Sequence, residues 1–238
     1  MTDLTNIQPI AEHPAKFNDA IIEAIQGAIY EHWDEPGEPD ILDPMGGIGG
    51  IHLIPGNTYA VELQPGWAAQ SALNGPTYCG NWLTYKGAFG FPKMFGIVAT
   101  SCAYGNRMAD KHNAKEDSKR LTYAHTLRRN GEELDGWNSG GMQWGDAYRD
   151  FHRLAWFNVA KILLPGGLFI LNVKDHVRGG ELQQVAKWHR DAILGMETFK
   201  MLQDKAVPVR GMGFGAHQQV SDGVKVDYEH VYVFRKVA

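Results

Sequence analysis

The chain has little cysteine: Cys79 and Cys102 are the only two in 238 residues. Such a pair builds no disulfide framework, and reduced thiols are expected. Metal-ligand spacing is lacking too. There is no Cys-x-x-Cys and no His-Glu-x-x-His, and His13, His112, His125 and His217 are scattered, so no metal is expected. No apolar run approaches the roughly 20 residues of a membrane span. The N-terminal Met-Thr-Asp-Leu-Thr-Asn lacks the basic start and apolar run of a secretory leader. These absences lead us to expect a cytoplasmic protein with no membrane partner. A surplus of positive charge is also absent: the formal net charge is −4. That excludes a uniformly basic coat for nucleic acid, though not a local basic patch. Gly-x-Gly-x-x-Gly does not occur, and Gly-Lys-Ser/Thr does not occur, which argues against a dinucleotide fingerprint and an NTPase phosphate loop. Internal repeats and low-complexity tracts are missing as well.

What is present suits one α/β domain, with 44% hydrophobic and 21% charged residues. Asn18 is a candidate N-cap before a helical stripe of Ile21, Ile22, Ala24, Ile25, Ala28 and Ile29. Ile41-Leu42 reads as a strand end, Tyr59 to Leu63 as a second strand, and Thr77 to Trp82 as a third. Met94 to Thr100 is a fourth and Leu168 to Val173 a fifth. Helices are predicted near Gly66–Ala69, over Ala147–Leu164 until Pro165-Gly166-Gly167 stops it, and around Gln183–Gly195. Phe199–Val209 and His230–Arg235 read as two closing strands. This order predicts a doubly wound, mostly parallel sheet with helices on both faces and a single domain over 1–238. Residues 105–146 are polar and weakly periodic, and read as an inserted loop or subdomain.

In open α/β sheets, ligands bind at the carboxyl ends of the strands. Four stretches of this chain fall there. Asp43-Pro44-Met45-Gly46-Gly47-Ile48-Gly49-Gly50 is a glycine loop whose amides can approach a ligand closely. Pro55 and the nearby Gly56-Asn57 turn leave room only for a short or distorted first crossover helix. Glu62 ends the next strand, where an acid can accept from the two hydroxyls of a ribose. Asn81 can pair with an adenine edge, and Trp82 can cover its face. The apolar run Ile97-Val98-Ala99 breaks into a polar turn, Ser101-Cys102-Ala103-Tyr104, and Gly105 lets the chain leave sharply. Cys102 reads as a buried residue filling space, or as a nucleophile.

Taken together, the Asp43 loop, Glu62, Gly80-Asn81 and Thr100-Ser-Cys-Ala-Tyr104 make the chain resemble the S-adenosylmethionine-dependent amino-methyltransferases of DNA. Those enzymes methylate N6 of adenine or N4 of cytosine. The resemblance covers nearly the whole chain and is similar to small solitary enzymes of phages and actinobacteria. It implies a class I methyltransferase (Rossmann-like) fold, a seven-stranded sheet with a terminal antiparallel strand, and S-adenosylmethionine as cofactor. His13-Pro14-Ala15-Lys16-Phe17 is similar to the segment that packs at the methionine end of the cofactor. Together with the reading of the residues, the resemblance makes Lys16, Phe17, Asp43, Met45, Gly47, Gly49, Glu62, Asn81 and Trp82 the expected cofactor contacts. It assigns the chemistry to Ser101, Cys102 and Tyr104. In the family, Ser/Asn/Asp-Pro-Pro-Tyr binds the exocyclic amine through the polar first residue and a backbone carbonyl. The aromatic ring stacks on the flipped base. Here Ser101 and Tyr104 keep the ends of that pattern, while Cys102 and Ala103 replace both prolines.

Directly after this turn, Gly105 to Asn130 carries seven basic residues: Arg107, Lys111, Lys115, Lys119, Arg120, Arg128 and Arg129. Only Asp110, Glu116 and Asp117 oppose them, in an otherwise acidic chain. That distribution predicts contact with nucleic acid phosphates. DNA is the expected partner and the expected reaction is direct in-line methyl transfer to its exocyclic amine. Three alternatives stay open: RNA or a modified base, a small molecule, and a degenerate protein that binds without turnover.

Overall fold

The computed structural model describes residues 2–15, 17–85, 94–105, 122–208 and 226–237. Its centre is a seven-stranded sheet in the order β3-β2-β1-β4-β5-β9-β8. The strands run β1 Asp40–Asp43, β2 Asn57–Glu62, β3 Thr77–Cys79, β4 Phe95–Ser101, β5 Leu163–Val173, β8 Phe199–Pro208 and β9 Tyr228–Lys236. A separate hairpin pairs β6 (His176–Arg178) with β7 (Glu181–Gln183). Strands β1 to β5 pair in parallel. The last strand, β9, is antiparallel to both neighbours and inserts between β5 and β8.

Alternation along the central strands sends side chains into two cores. Ile41, Ala60, Ile97, Ala99, Leu168 and Ile170 meet α1 (Asp19–His32) through Ile21, Ile25 and Ala28. Asn18 caps α1 by accepting from the Ile21 amide at 2.9 Å, as its sequence position predicted. On the other face Leu42, Val61, Val98, Phe169 and Leu171 pack against α4 (Asp146–Ile162) and α5 (Val185–Leu194) through Phe151, Trp156, Val159 and Ile193. The short α2 (Pro65–Ala72) follows β2. The region between Gly50 and Leu53 is a single 3-10 turn, in line with the short crossover expected there.

Two boundaries differ from the sequence reading. The third strand ends at Cys79, and Trp82 begins a 3-10 turn that Asn81 caps through the Leu83 amide at 2.8 Å. Pro165-Gly166-Gly167 does not end α4 before a turn; α4 passes directly into β5. The pairing jumps from Phe95–Leu163 to Ile97–Leu168, so residues 164–167 bulge out of register. Gly166 has φ +78°, which favours glycine, and Gly167 lies so close to Gly96 that a Cβ would sit 2.7 Å from its carbonyl oxygen.

In the second half of the insert, α3 (Tyr123–Arg129) is a formed helix. Tyr123 and Leu127 pack with Ile10 and Trp67, which joins this segment to the N-terminal residues, whose Ile10 amide donates to the Gly66 carbonyl of α2 at 2.9 Å. The Gln64 side chain also bonds the backbone of Glu133 and Asp135, at 3.0 and 2.8 Å.

Candidate active site

The parallel pairing puts the carboxyl ends of β1, β2, β4 and β5 along one edge of the sheet. Asp43, Glu62, Ser101 and Asn172 are delivered there by the last residues of those strands. Asp43 is buried. Its Oδ1 accepts from the Met45 amide at 2.9 Å and the Thr100 hydroxyl at 2.7 Å. Its Oδ2 is buried without a partner among the described residues. Burial pushes the Asp43 carboxyl up to about 7. Glu62 reaches into the glycine loop: Oε2 accepts from the Gly47 amide and Oε1 from the Gln64 amide, both at 2.8 Å. Burial raises Glu62 to about 7 as well, with a smaller contribution from the charge of Asp43.

The loop between them needs its glycines. Gly47 and Gly49 have φ of +52° and +86°. A Cβ on Gly49 would lie 2.7 Å from the Ser71 hydroxyl oxygen, and one on Gly50 would lie 2.5 Å from the Phe17 ring. Phe17 therefore packs on the loop, and His13 lies over Gly47 and stands edge-on to Trp67. Of the segment expected at the methionine end, Lys16 falls outside the described residues.

Of the two residues expected at the adenine, Asn81 holds the 3-10 turn and retains an acceptor lone pair. Trp82 stands in a setting other than the one expected. It is buried in the core against α4, and its indole N–H donates to the Ala155 carbonyl at 3.1 Å. The reason is the early end of β3, which turns residue 82 inward.

At the end of β4 the polar turn is tied to β5 and β9. Ser101 Oγ donates to Asn172 Oδ1 at 2.8 Å, and lies 3.3 Å from the Tyr104 hydroxyl. Tyr104 Oη is 3.1 Å from Asn172 Oδ1 and 3.0 Å from Glu229 Oε2. Asn172 Nδ2 donates to Glu229 Oε2 at 3.0 Å and to the His230 carbonyl at 3.3 Å. Burial, and then the Glu229 charge, hold the Tyr104 phenol well above its ordinary value, so it stays a neutral hydroxyl.

Cys102 points the other way, into the core. Burial pushes its thiol up to about 12, which leaves it protonated at neutral pH and unsuited to nucleophilic attack. It lies 3.7 Å from His189 Nε2 and 3.9 Å from the Tyr148 hydroxyl. The Tyr148 hydroxyl donates to the Ala103 carbonyl. A tyrosine on α4 thus holds the backbone of the turn at the position where the resemblance puts a proline.

Cys102, His152 and His189 come within 4.8 Å of one another, a trio that spacing along the chain did not bring together. Hydrogen bonding gives His189 a structural role. The Trp156 indole, which can only donate, gives its N–H to His189 Nδ1 at 3.0 Å. The His189 proton therefore sits on Nε2, which faces Tyr148 at 2.8 Å and has no lone pair to offer a metal. Asn172, Tyr148, His189 and Glu229 escaped the sequence reading as functional residues. Only Asn172 carried a signal, as the polar end of an apolar strand. Shortly after Asn172 in the chain, Asp175 Oδ1 accepts from the Ala186 amide at the start of α5, at 2.7 Å, while His176 begins β6.

Of the basic residues expected to meet phosphates, Arg128 and Arg129 lie at the end of α3. Arg129 pairs with Glu12 at 2.6 Å. Arg107, Lys111, Lys115, Lys119 and Arg120 lie outside the described residues. None of the described helices is long and apolar enough to cross a membrane.

No protein-family model matches the chain, and no curated protein sequence matches it significantly. Solved structures do. A S-adenosylmethionine-dependent methyltransferase from Clostridium acetobutylicum superimposes with TM-score 0.51 at 13% identity, over 92% of both chains. The N-methyltransferase NodS from Bradyrhizobium japonicum, solved with S-adenosyl-L-homocysteine, gives TM-score 0.51 at 9% identity, over 92% of this chain and 88% of that one. TrmN from Thermus thermophilus gives TM-score 0.50 at 15% identity over 91% of this chain, which spans about half (48%) of TrmN. The strand order, the antiparallel β9 and these likenesses together show that the chain has the Rossmann-like fold of the class I methyltransferases.

Proposed function

We propose that the protein binds S-adenosylmethionine at the Asp43–Gly50 loop and methylates an exocyclic amino group, adenine N6 or cytosine N4, of DNA. The observation that carries the cofactor half is a buried carboxylate oxygen, Asp43 Oδ2, left without a partner among the described residues beside a glycine cradle. An orphaned buried acceptor costs roughly 1–3 kcal/mol, and more when charged. A cationic ligand offering N–H donors removes that cost. Glu62 fits the same ligand. Each of its oxygens accepts one backbone amide and keeps a lone pair for a diol. The pattern of residues therefore suits the group, with Phe17, Met45, Gly47 and Gly49 around it, Asn81 at the far end, and Lys16 adjoining in sequence.

When bound, the cofactor supplies an electrophilic methyl group on a sulfonium. The protein's part is to bring an amine in line with it and keep water out. Ser101 Oγ donates its hydrogen bond to Asn172, so in this reading it meets the amine as an acceptor, and the Cys102 carbonyl is assigned the second N–H. Both raise electron density on a poor nucleophile. The chain carries no cysteine thiolate here, which favours direct transfer over covalent catalysis. The DNA half of the proposal rests on the Ser-x-x-Tyr turn and on the basic run that follows it.

The test uses the full chain, labelled S-adenosylmethionine, and DNA from a strain without amino-methylated bases. Nucleoside mass spectrometry should find N6-methyladenine or N4-methylcytosine. Label in RNA or in a small amine would move the substrate to that class. Cofactor binding with no label in any of them would make this a binding protein.

A further inference from the structure

The side chains around Ser101 have a fixed hydrogen-bond polarity, and it can be followed from its origin. Asn172 Nδ2 donates to Glu229 Oε2 and to the His230 carbonyl oxygen. That orientation leaves Asn172 Oδ1 facing Ser101 and Tyr104 as an acceptor. Glu229 Oε2 also takes the Tyr104 hydroxyl at 3.0 Å. Ser101 donates inward to Asn172 Oδ1 at 2.8 Å, which leaves its lone pairs to face a substrate. Asn172 is buried, so water does not supply an alternative partner that would let it flip.

We infer that Glu229, acting through Asn172 and Tyr104, makes Ser101 an obligate acceptor and so restricts the site to substrates that present an N–H donor. The inference rests on the methyl-transfer reading and narrows it: an amino-bearing base is accepted, and its keto counterpart, which presents an acceptor at the same position, is turned away. Glu229 is a positioning residue here, since it reaches the substrate only through its neighbours. It stands on β9, 57 residues beyond Asn172. Facing it are Tyr104 from the β4 turn, Asn172 from β5 and, within electrostatic reach, Lys174.

The experiment is saturation-transfer NMR on the full chain with S-adenosylhomocysteine, using adenosine against inosine and cytidine against uridine. Facing an acceptor with an acceptor costs on the order of tenfold or more in affinity. At least one amino nucleoside should therefore bind roughly tenfold tighter than its keto partner. Glu229→Gln keeps an oxygen for Asn172 and Tyr104 and should preserve that ratio. Glu229→Leu frees Asn172 and should bring the ratio below about threefold, with cofactor affinity unchanged by calorimetry. Equal binding of both partners by the wild type, no nucleoside binding at all, or an unchanged ratio in a folded Glu229→Leu each overturns the inference. If Glu229→Leu does not fold, the Glu229→Gln and wild-type ratios still decide it. Failure of S-adenosylhomocysteine to bind the wild type would instead overturn the underlying methyl-transfer reading.

Discussion

At the scale of single residues, two buried carboxyls define how the site responds to pH. Asp43 and Glu62 are both raised to about 7 in the folded chain by burial. The unfolded chain releases these protons near pH 4. Between about pH 4 and 7 the folded state holds protons that the unfolded state has lost, so stability of the cofactor-free protein should fall as pH rises through that window and level off above it. A melting series from pH 4 to 8 checks this; a melting temperature that rises through the window counts against it. Asp43→Asn keeps the acceptor for Thr100 and Met45 while removing the charge. It should raise the melting temperature at pH 8 and weaken S-adenosylmethionine binding by roughly tenfold or more, read by calorimetry. Cys102 makes the opposite kind of prediction. Its protonated, buried thiol should resist alkylation until the protein is unfolded. Cys102→Ala should cost roughly 1–2 kcal/mol of stability for the cavity and leave methyl transfer within about threefold of wild type. Complete loss of turnover in that folded variant would restore the covalent mechanism.

At the scale of elements, the site depends on how β4 and β5 are registered, because that pairing sets Ser101 opposite Asn172. The register is reached only after residues 164–167 bulge out beside Gly96. Gly167→Ala would drive a Cβ to 2.7 Å from the Gly96 carbonyl oxygen and 2.9 Å from that of Leu164, both backbone atoms that cannot turn aside. We expect a loss of about 2–4 kcal/mol in a urea titration. An effect under about 0.5 kcal/mol would mean that the bulge is dispensable. The helices contribute through a relay of hydrogen bonds: Trp156 on α4 orients His189 on α5, His189 orients Tyr148, and Tyr148 holds Ala103. Helix packing thereby reaches the backbone of the candidate catalytic turn.

At the scale of the whole molecule, the chain carries a net charge of −4, yet one stretch is basic. If that stretch meets DNA phosphates, binding should be steeply salt-dependent although the protein as a whole repels the duplex. For two to four phosphate contacts, affinity should fall roughly 10- to 150-fold between 50 and 200 mM salt. Fluorescence anisotropy on a duplex measures it. Affinity that is flat with salt would favour a small-molecule substrate. Arg128→Ala should reduce the salt slope by about one contact, because Arg128 sits at the exposed end of α3. Arg129 should matter less, being already paired with Glu12.

The features legible in the amino-acid order are those with local causes. Asn18 before a stripe of isoleucines specifies α1 through its own cap and periodicity. Apolar runs ending in Asp43, Glu62 and Ser101 specify strands with polar ends, and glycines specify the loop that a side chain would block. Because strands and helices alternate, those ends had to fall on one edge of the sheet. Other features arise only from pairings distant in sequence. The insertion of β9 between β5 and β8 is such a pairing, and it alone brings Glu229 to Asn172. Trp82 looked ligand-facing until the early end of β3 turned it into the core. His152 and His189 lie far apart in sequence and meet only because α4 and α5 pack side by side. Cap, turn and periodicity energies are set within a few residues, so the chain declares them. Hydrogen-bond polarity and proton affinity depend on what burial and register bring together, and those are properties of the folded molecule.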